Sequence, residues 1–402
     1  MKIIHTSDWH IGHFFQNWDR KEEFSFFFEQ LHHIITEEKP DVLIVAGDIF
    51  HNSNPAAESV TFYYQELMSL KQLAPNLQII IVAGNHDSPS RLQAPAVILH
   101  NFNIHIVGMV PKQKGEVEWE KMLFPLYHNG TMAGVCMAVP FLRRGDYERH
   151  SDEESEWASL RRFYSALFEK AQVIAGELPI IATAHLAIAA DDTVEQTIGA
   201  VDSLACTVFP EGINYVALGH IHKAYPVGGN PAIRYSGSPL PISLNARNRQ
   251  HQVILVEFKG DRKPHIKFLP IAVPVPVKLV PDSPVPLSEL VGALHTLSDE
   301  EEIYLEANWL QTEPVADVRD RIFAALEGKK ARFCGIKTTI PTVENAHDCI
   351  SVTTVEELQN LNPEMLAMQY FLQKNGVEMN STVRKLLQEA IAEVQLEKGE
   401  AQ

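Results

Sequence analysis

The sequence predicts an α/β protein with a layered core, followed by a small α+β cap and a helical tail. Three observations carry this. Five apolar runs each end on polar residues able to do chemistry. Apolar residues at helical spacing fill the intervals between several of these runs. A proline-rich stretch then separates this region from a shorter strand–helix–strand pattern.

The first run, residues 2–6, leads into Asp8-Trp9-His10. The second, 43–46, stops on Gly47-Asp48 and is the one around which the others are arranged. Its unbroken hydrophobicity reads as a strand buried on both faces. Gly47 permits a turn that a Cβ resists. Asp48 then stands just past a strand's carboxyl end, where open α/β sheets gather their ligands. The third run, 79–83, leads into Gly84-Asn85-His86-Asp87; the fourth, 180–183, into His185; the fifth, 215–218, into Gly219-His220-Ile221-His222.

Helices are expected over 21–36, 55–73 and 92–100 from their apolar periodicity, with Pro89 suited to a first turn. Residues 134–139 read as a strand. Residues 151–175 read as a long helix whose acidic opening suits the positive end of its dipole. Later strands are expected at 232–236 and 252–258, the latter pairing back with 265–269 in a hairpin. Prolines at 270, 274, 276, 281, 284 and 286 mark the exit from a first domain, 1–270. Residues 271–348 form the cap, with strands at 302–309 and 331–340 around a helix at 314–326. Residues 349–402 form the tail, with two apolar helical stripes suited either to packing together or to docking on a partner helix.

The 402 residues leave room for two or three domains, and 45% hydrophobic with 21% charged content is ordinary for a chain with a real core. No apolar run reaches the ~18 residues a bilayer requires. Residues 1–5 enter a strand directly, so no signal peptide is expected. Cys136, Cys206, Cys334 and Cys349 show no CxxC spacing and fit a reducing, cytoplasmic compartment. A net charge of −17 argues against a free-standing nucleic-acid binder. It leaves a nuclease open, because bound cations and a partner protein can supply positive charge.

Asp8, His10, Asp48, Asn85, His185, His220 and His222 mix imidazole, carboxylate and amide oxygen without a thiolate. That set suits Mn²⁺, Fe²⁺ or Zn²⁺. Seven ligands are too many for one ion, whereas two divalent ions sharing Asp48 use them all. Paired ions suit phosphoester cleavage. Isolated histidines such as His32, His33, His100, His105, His128 and His150 read as surface or core residues.

The ordered set resembles that of the calcineurin-like metallophosphoesterases. Thr6-Ser7-Asp8-Trp9-His10-Ile11-Gly12, Gly47-Asp48-Ile49-Phe50-His51 and Arg234-Tyr235-Ser236-Gly237-Ser238-Pro239 look like the SbcD branch, bacterial relatives of the double-strand-break repair nucleases. The resemblance implies a four-layer β-sandwich core flanked by helices, and a Mn²⁺-dependent DNA endonuclease and exonuclease. It implies one ion on Asp8, His10, Asp48 and His222 and another on Asp48, Asn85, His185 and His220. It places His86 at the leaving oxygen, has Asp87 orient His86, and puts His51 near the phosphate. It further implies an SbcC-like coiled-coil ATPase partner held by the tail, and a homodimer within a heterotetramer. The rival readings are a phosphatase or phosphodiesterase acting on a non-DNA substrate, and a scaffold without activity. The latter would be marked by a lost ligand, and none is lost.

Overall fold

The computed structural model describes residues 1–148, 156–187, 208–313, 315–341, 363–375 and 383–388, with single positions 379 and 391. Two six-stranded sheets form its centre. The first runs His265–Ile271, His251–Glu257, Lys2–Thr6, Val42–Ala46, Gln78–Val82, Ile104–Val107. Its last four strands are parallel and the first two pair antiparallel. The second runs Tyr225–Val227, Asn230–Tyr235, Tyr215–Gly219, Ile180–His185, Thr131–Met137, Leu123–His128, again with a parallel centre and antiparallel edges.

The pleat sorts the side chains of the first sheet. Ile3, Val42, Ile44, Ile80 and Val82 point into one core, shared with Val135, Met137, Ile181, Val216 and Leu218 of the second sheet. Ile4, Leu43, Val45, Ile79 and Ile81 point the other way. There they meet Phe24, Phe27, Phe28, Leu31 and Ile35 of the helix Lys21–Glu38 and Tyr63, Leu67 and Leu70 of the helix Ala57–Leu73. Successive strand residues face opposite sides, so a parallel strand covered on both reads as a continuous apolar run. The helix Glu156–Ala175 packs against the second sheet. The result is four layers: helices, sheet, sheet, helix. His5, fully buried, lies between the sheets; its Nδ1 meets Tyr215 Oη at 2.9 Å and its Nε2 the Leu218 carbonyl at 3.2 Å.

Several expected boundaries shift. The helix expected over 92–100 is two short pieces, Pro89–Gln93 and Ala96–Leu99, with Pro95 between them, where an interior proline removes a donor. Residues 151–155, the acidic opening, lie outside the described residues. The proline-rich stretch is more than an exit. Val277–Val285 is a strand at the edge of a three-stranded sheet with Tyr304–Leu310 and Arg332–Thr339. An edge tolerates Pro281 and Pro284 because an edge strand need not donate on its outer side. The helix Leu287–His295 follows it, an element absent from the expected strand–helix–strand pattern.

By contacts the chain forms two compact units. The first is Met1–Asn308 with Asp317–Lys337, and the second is Trp309–Ala316 with Thr338–Gln402. Within the second, the helix Pro363–Asn375 is described, and Glu364 accepts from Arg384 at 2.9 Å and from Gln388 at 2.7 Å. Of the two apolar stripes of the tail, Val355, Leu358, Leu361 and Val394 lie outside the described residues. No helix among the described residues is long and apolar enough to cross a membrane.

Candidate metal centre

The loops that leave Lys2–Thr6, Val42–Ala46 and Gln78–Val82 converge with the ends of Ile180–His185 and Tyr215–Gly219 at one rim of the sandwich. Asp8, His10, Asp48 and His185 are almost wholly buried there. Asp8 N–H donates to the Gly47 carbonyl and His10 N–H to the Asp48 carbonyl, both at 3.0 Å, locking the first two loops together.

The backbone turns sharply where the chemistry sits. Asp8, His10, Asp48 and His220 all have positive φ, at 53°, 47°, 51° and 100°. Non-glycine residues seldom adopt this region, and strain of this kind collects at functional sites. Two glycines make the close approach possible. A Cβ on Gly47, itself at φ 91°, would lie 2.2 Å from His185 Nδ1. A Cβ on Gly84 would lie 2.1 Å from Asp48 Oδ1.

The structure brings all seven expected ligand side chains together. Asp48 Oδ2 is 3.5 Å from His10 Nε2 on one side and 3.3 Å from His185 Nε2 on the other. Donor atoms of Asp8, His10, Asp48 and His222 all lie within 4.8 Å of one another, a grouping able to hold a metal ion. Asn85 Oδ1 lies 3.0 Å from His185 Nε2 and 2.9 Å from His220 Nδ1. Asp8 is braced by the Ser7 hydroxyl at 2.5 Å and the His220 N–H at 3.0 Å.

The donor set suits a cation. His185 Nδ1 donates to the Ala46 carbonyl at 2.8 Å, so its Nε2 presents a lone pair to two acceptor oxygens unless a proton or metal ion lies among them. His10 Nε2 and His222 Nε2 stand 3.1 Å apart, and two neutral imidazoles can satisfy such a contact with at most one N–H. Burial alone would lower His185, but Asp48, then Asp8 and the Ala46 carbonyl push it up to about 9. Burial disfavours the Asp48 carboxylate, yet the His185 and His10 imidazoles and the His86 N–H outweigh it and hold Asp48 below the usual range. Desolvation pushes Asp8 up.

His51 and His86 lie beside this group. Their rings are stacked with centroids 5.7 Å apart, and His10 is 4.9 Å from His86, edge to face. His86 Nδ1 donates to the His51 carbonyl at 2.8 Å, and the His86 N–H donates to Asp48 Oδ1 at 2.9 Å. Asp87 is not placed to orient the His86 ring, contrary to expectation. Its carboxylate instead accepts from Gly84 N, Phe50 N and Ile49 N at 2.8, 2.9 and 3.1 Å, clamping two of the converging loops. Adjacent residues at this turn face apart, so the orienting partner of His86 comes from the loop after Val42–Ala46. Burial, followed by the Asp48 charge, pushes Asp87 up to about 6.

Some residues beside the site have no strand-end signature. His13 is buried with its ring 4.5 Å from His51, and Arg20 donates to its Nδ1 at 3.2 Å. Only proximity to Asp8-Trp9-His10 in the chain hints at His13; nothing in the local pattern points to Arg20. The lone histidines stay apart from the cluster: His32 pairs with Glu66, His33 with Glu37 and His128 with Asp41. Arg91 bonds Asn54 at 2.6 Å, and Arg143 lies over Phe141. His150, like Cys206 and Cys349, lies outside the described residues.

A buried rim of carboxylates, imidazoles and one amide, laid over a two-sheet sandwich, defines the calcineurin-like phosphoesterases, and that family's model matches residues 1–224. A second model, described as the Type 5 capsule protein repressor C-terminal domain, matches residues 273–375. The SbcD component of the SbcCD nuclease of Rhodobacter capsulatus is 32% identical over 384 residues, covering 91% of this chain and 93% of its own. That of Escherichia coli K12 is 29% identical over 381 residues, covering 90% and 92%. The chain therefore belongs to the SbcD family of nuclease subunits, as a metal-dependent phosphodiesterase working with divalent metal ions.

Proposed function

We propose that this chain is a Mn²⁺-dependent DNA endonuclease and 3′–5′ exonuclease of the SbcD type, holding two ions that share Asp48. The observation that carries this reading is that Asp48 Oδ2 lies within reach of both sets, 3.5 Å from His10 Nε2 and 3.3 Å from His185 Nε2. Asp8, His10, Asp48 and His222 would hold one ion, and Asp48, Asn85, His185 and His220 the other. When bound, the ions supply an activated water and neutralise charge on the phosphodiester. Oxygen and imidazole donors in this mixture suit Mn²⁺.

The protein's own groups do the rest. The Nδ1–H of His86 is committed to the His51 carbonyl, so Nε2 is the nitrogen left to face the substrate. The imidazolium form of His86 donates its Nε2 proton to the leaving oxygen, while the backbone bond to Asp48 Oδ1 keeps it in register with the shared carboxylate. The stacked His51 ring limits rotation of His86. Asp87 holds the loops that carry both, an indirect contribution.

The names of the relatives place them in a complex called SbcCD. We extend that to this chain: residues 349–402 dock on an SbcC-like coiled-coil ATPase, residues 271–348 cap the nuclease domain 1–270, and two copies sit in a cytoplasmic heterotetramer. The test compares cleavage of single-stranded circular DNA with hydrolysis of a phosphomonoester in Mn²⁺. Cleavage of DNA with little monoesterase activity is expected. The reverse preference would move the protein to the phosphatases of the same fold.

A further inference from the structure

A line of buried polar contacts runs from the three-stranded sheet to the catalytic histidines. On the strand Tyr304–Leu310, the Tyr304 hydroxyl donates to Glu23 Oε1 and accepts from Arg332 Nη1 at 2.9 Å. Glu23 Oε2 accepts from Arg20 Nη2 at 2.8 Å. Arg20 Nη1 donates to the Pro241 carbonyl at 2.7 Å and to His13 Nδ1 at 3.2 Å. The His13 ring meets the His51 ring edge to face at 4.5 Å, and the His51 carbonyl receives His86 Nδ1–H. Phe15, two residues after His13, stacks on Tyr304 with centroids 4.1 Å apart.

The central links are buried, whereas His51, His86 and Arg332 are half-buried. Arg20, Glu23, Tyr304 and His13 are 1%, 2%, 0% and 8% exposed. Ionic groups taken this far from water contribute little net stability, so their retention calls for another role. A guanidinium has donors and no acceptor, so its contact with Nδ1 requires the His13 proton to sit on Nε2. The bland alternative is that these residues merely fix the three-stranded sheet to the core. That accounts for Glu23, Tyr304 and Arg332, but not for a buried guanidinium aimed at a ring that packs on His51.

We propose that His13 is a positioning residue for phosphodiester cleavage, and that Arg20 and Glu23 transmit the seating of the three-stranded sheet through it to His51 and His86. The proposal rests on the reading of His86 as the group facing the leaving oxygen. The experiment keeps the two separable by using the full chain, Mn²⁺ and bis-p-nitrophenyl phosphate, a phosphodiester without bases.

His13→Ala is expected to lower kcat about tenfold with KM and bound metal unchanged, the signature of misplaced catalytic groups. His13→Gln, whose amide oxygen can accept from Arg20, is expected to recover turnover to within about threefold of the parent. His13→Ala strips Arg20 of an acceptor and can unfold the chain. Tyr304→Phe therefore carries the test from the other end: it keeps the stack on Phe15, removes the hydroxyl, and should lower kcat about threefold at unchanged KM. Parent turnover in folded His13→Ala overturns the proposal, as does a loss confined to KM or to metal content. Parent turnover in Tyr304→Phe overturns the link to the three-stranded sheet. Parent turnover in His86→Ala refutes the reading of His86 itself, whatever His13 does.

Discussion

Gly84→Ala is the sharpest single-atom probe of the centre. Gly84 does not adopt the left-handed backbone region, so alanine meets no φ penalty there, and the whole effect is steric. The added Cβ would lie 2.1 Å from Asp48 Oδ1 and 2.3 Å from Asp48 N, where an ordinary contact begins at 3.4 Å. Relief requires a shift of roughly 1.3 Å, the difference between 3.4 and 2.1. The Asp48 backbone is held by His10 N–H, and its Oδ1 by His86 N–H, so the carboxylate cannot move alone. Overpacking of this kind costs about 1–3 kcal/mol of stability. A displacement of about 1 Å at reacting groups lowers turnover about 100-fold. Gly145 is the control, because nothing lies within 4 Å of its Cβ position. Gly145→Ala should leave turnover unchanged and stability unchanged or slightly raised, since alanine restricts the unfolded chain. Denaturant melts, Mn²⁺ titration calorimetry and diester turnover read the three quantities. If Gly84→Ala binds Mn²⁺ and turns over like Gly145→Ala, Asp48 is not the crowded pivot described here.

His86→Ala should retain bound Mn²⁺ and lose diester cleavage by at least about 100-fold, the lower end of the range for a general acid; metal analysis beside single-turnover cleavage checks both. The buried His5 is depressed to about 3 by burial, against 6.5 when unfolded, so the unfolded chain binds the extra proton between those values. Its contribution to stability is therefore complete above pH 6.5 and fades as pH falls towards 3. At about pH 5, some 1.5 units below the unfolded value, this amounts to about 2 kcal/mol, and urea melts at about pH 7.5 and 5 should show a smaller acid loss in His5→Gln. Removing residues after Thr353 should abolish capture of an SbcC-like ATPase while diester hydrolysis persists; a truncated chain that still forms the complex on size exclusion refutes the docking role.

The strands were legible because burial on both faces leaves a plain mark. Val42–Ala46 is a continuous apolar run, as is Gln78–Val82 after its first residue, and each leads into its ligands. The seven ligand candidates could be read because each follows a strand end. The partner of His86 could not, since the bond to the His51 carbonyl depends on how two loops cross, and backbone carbonyls leave no trace in side-chain patterns. Val277–Val285 was hidden by its prolines, which signal a linker when read locally and are tolerated only because the strand lies at an edge. Arg20 and Glu23 look like any charged pair near a helix start, and only tertiary packing buries them.

The rim has a further consequence for how the molecule comes into being. Asp8 and His222 are ligand candidates near opposite ends of the nuclease sequence, and His5 already reaches Tyr215 across 210 positions of chain. Contacts this remote in sequence form late and slowly, because the intervening loop must close before they are rewarded. A nascent chain still short of residue 222 cannot offer the full set of donors. Affinity that depends on the full set therefore adds to the stability of the native state.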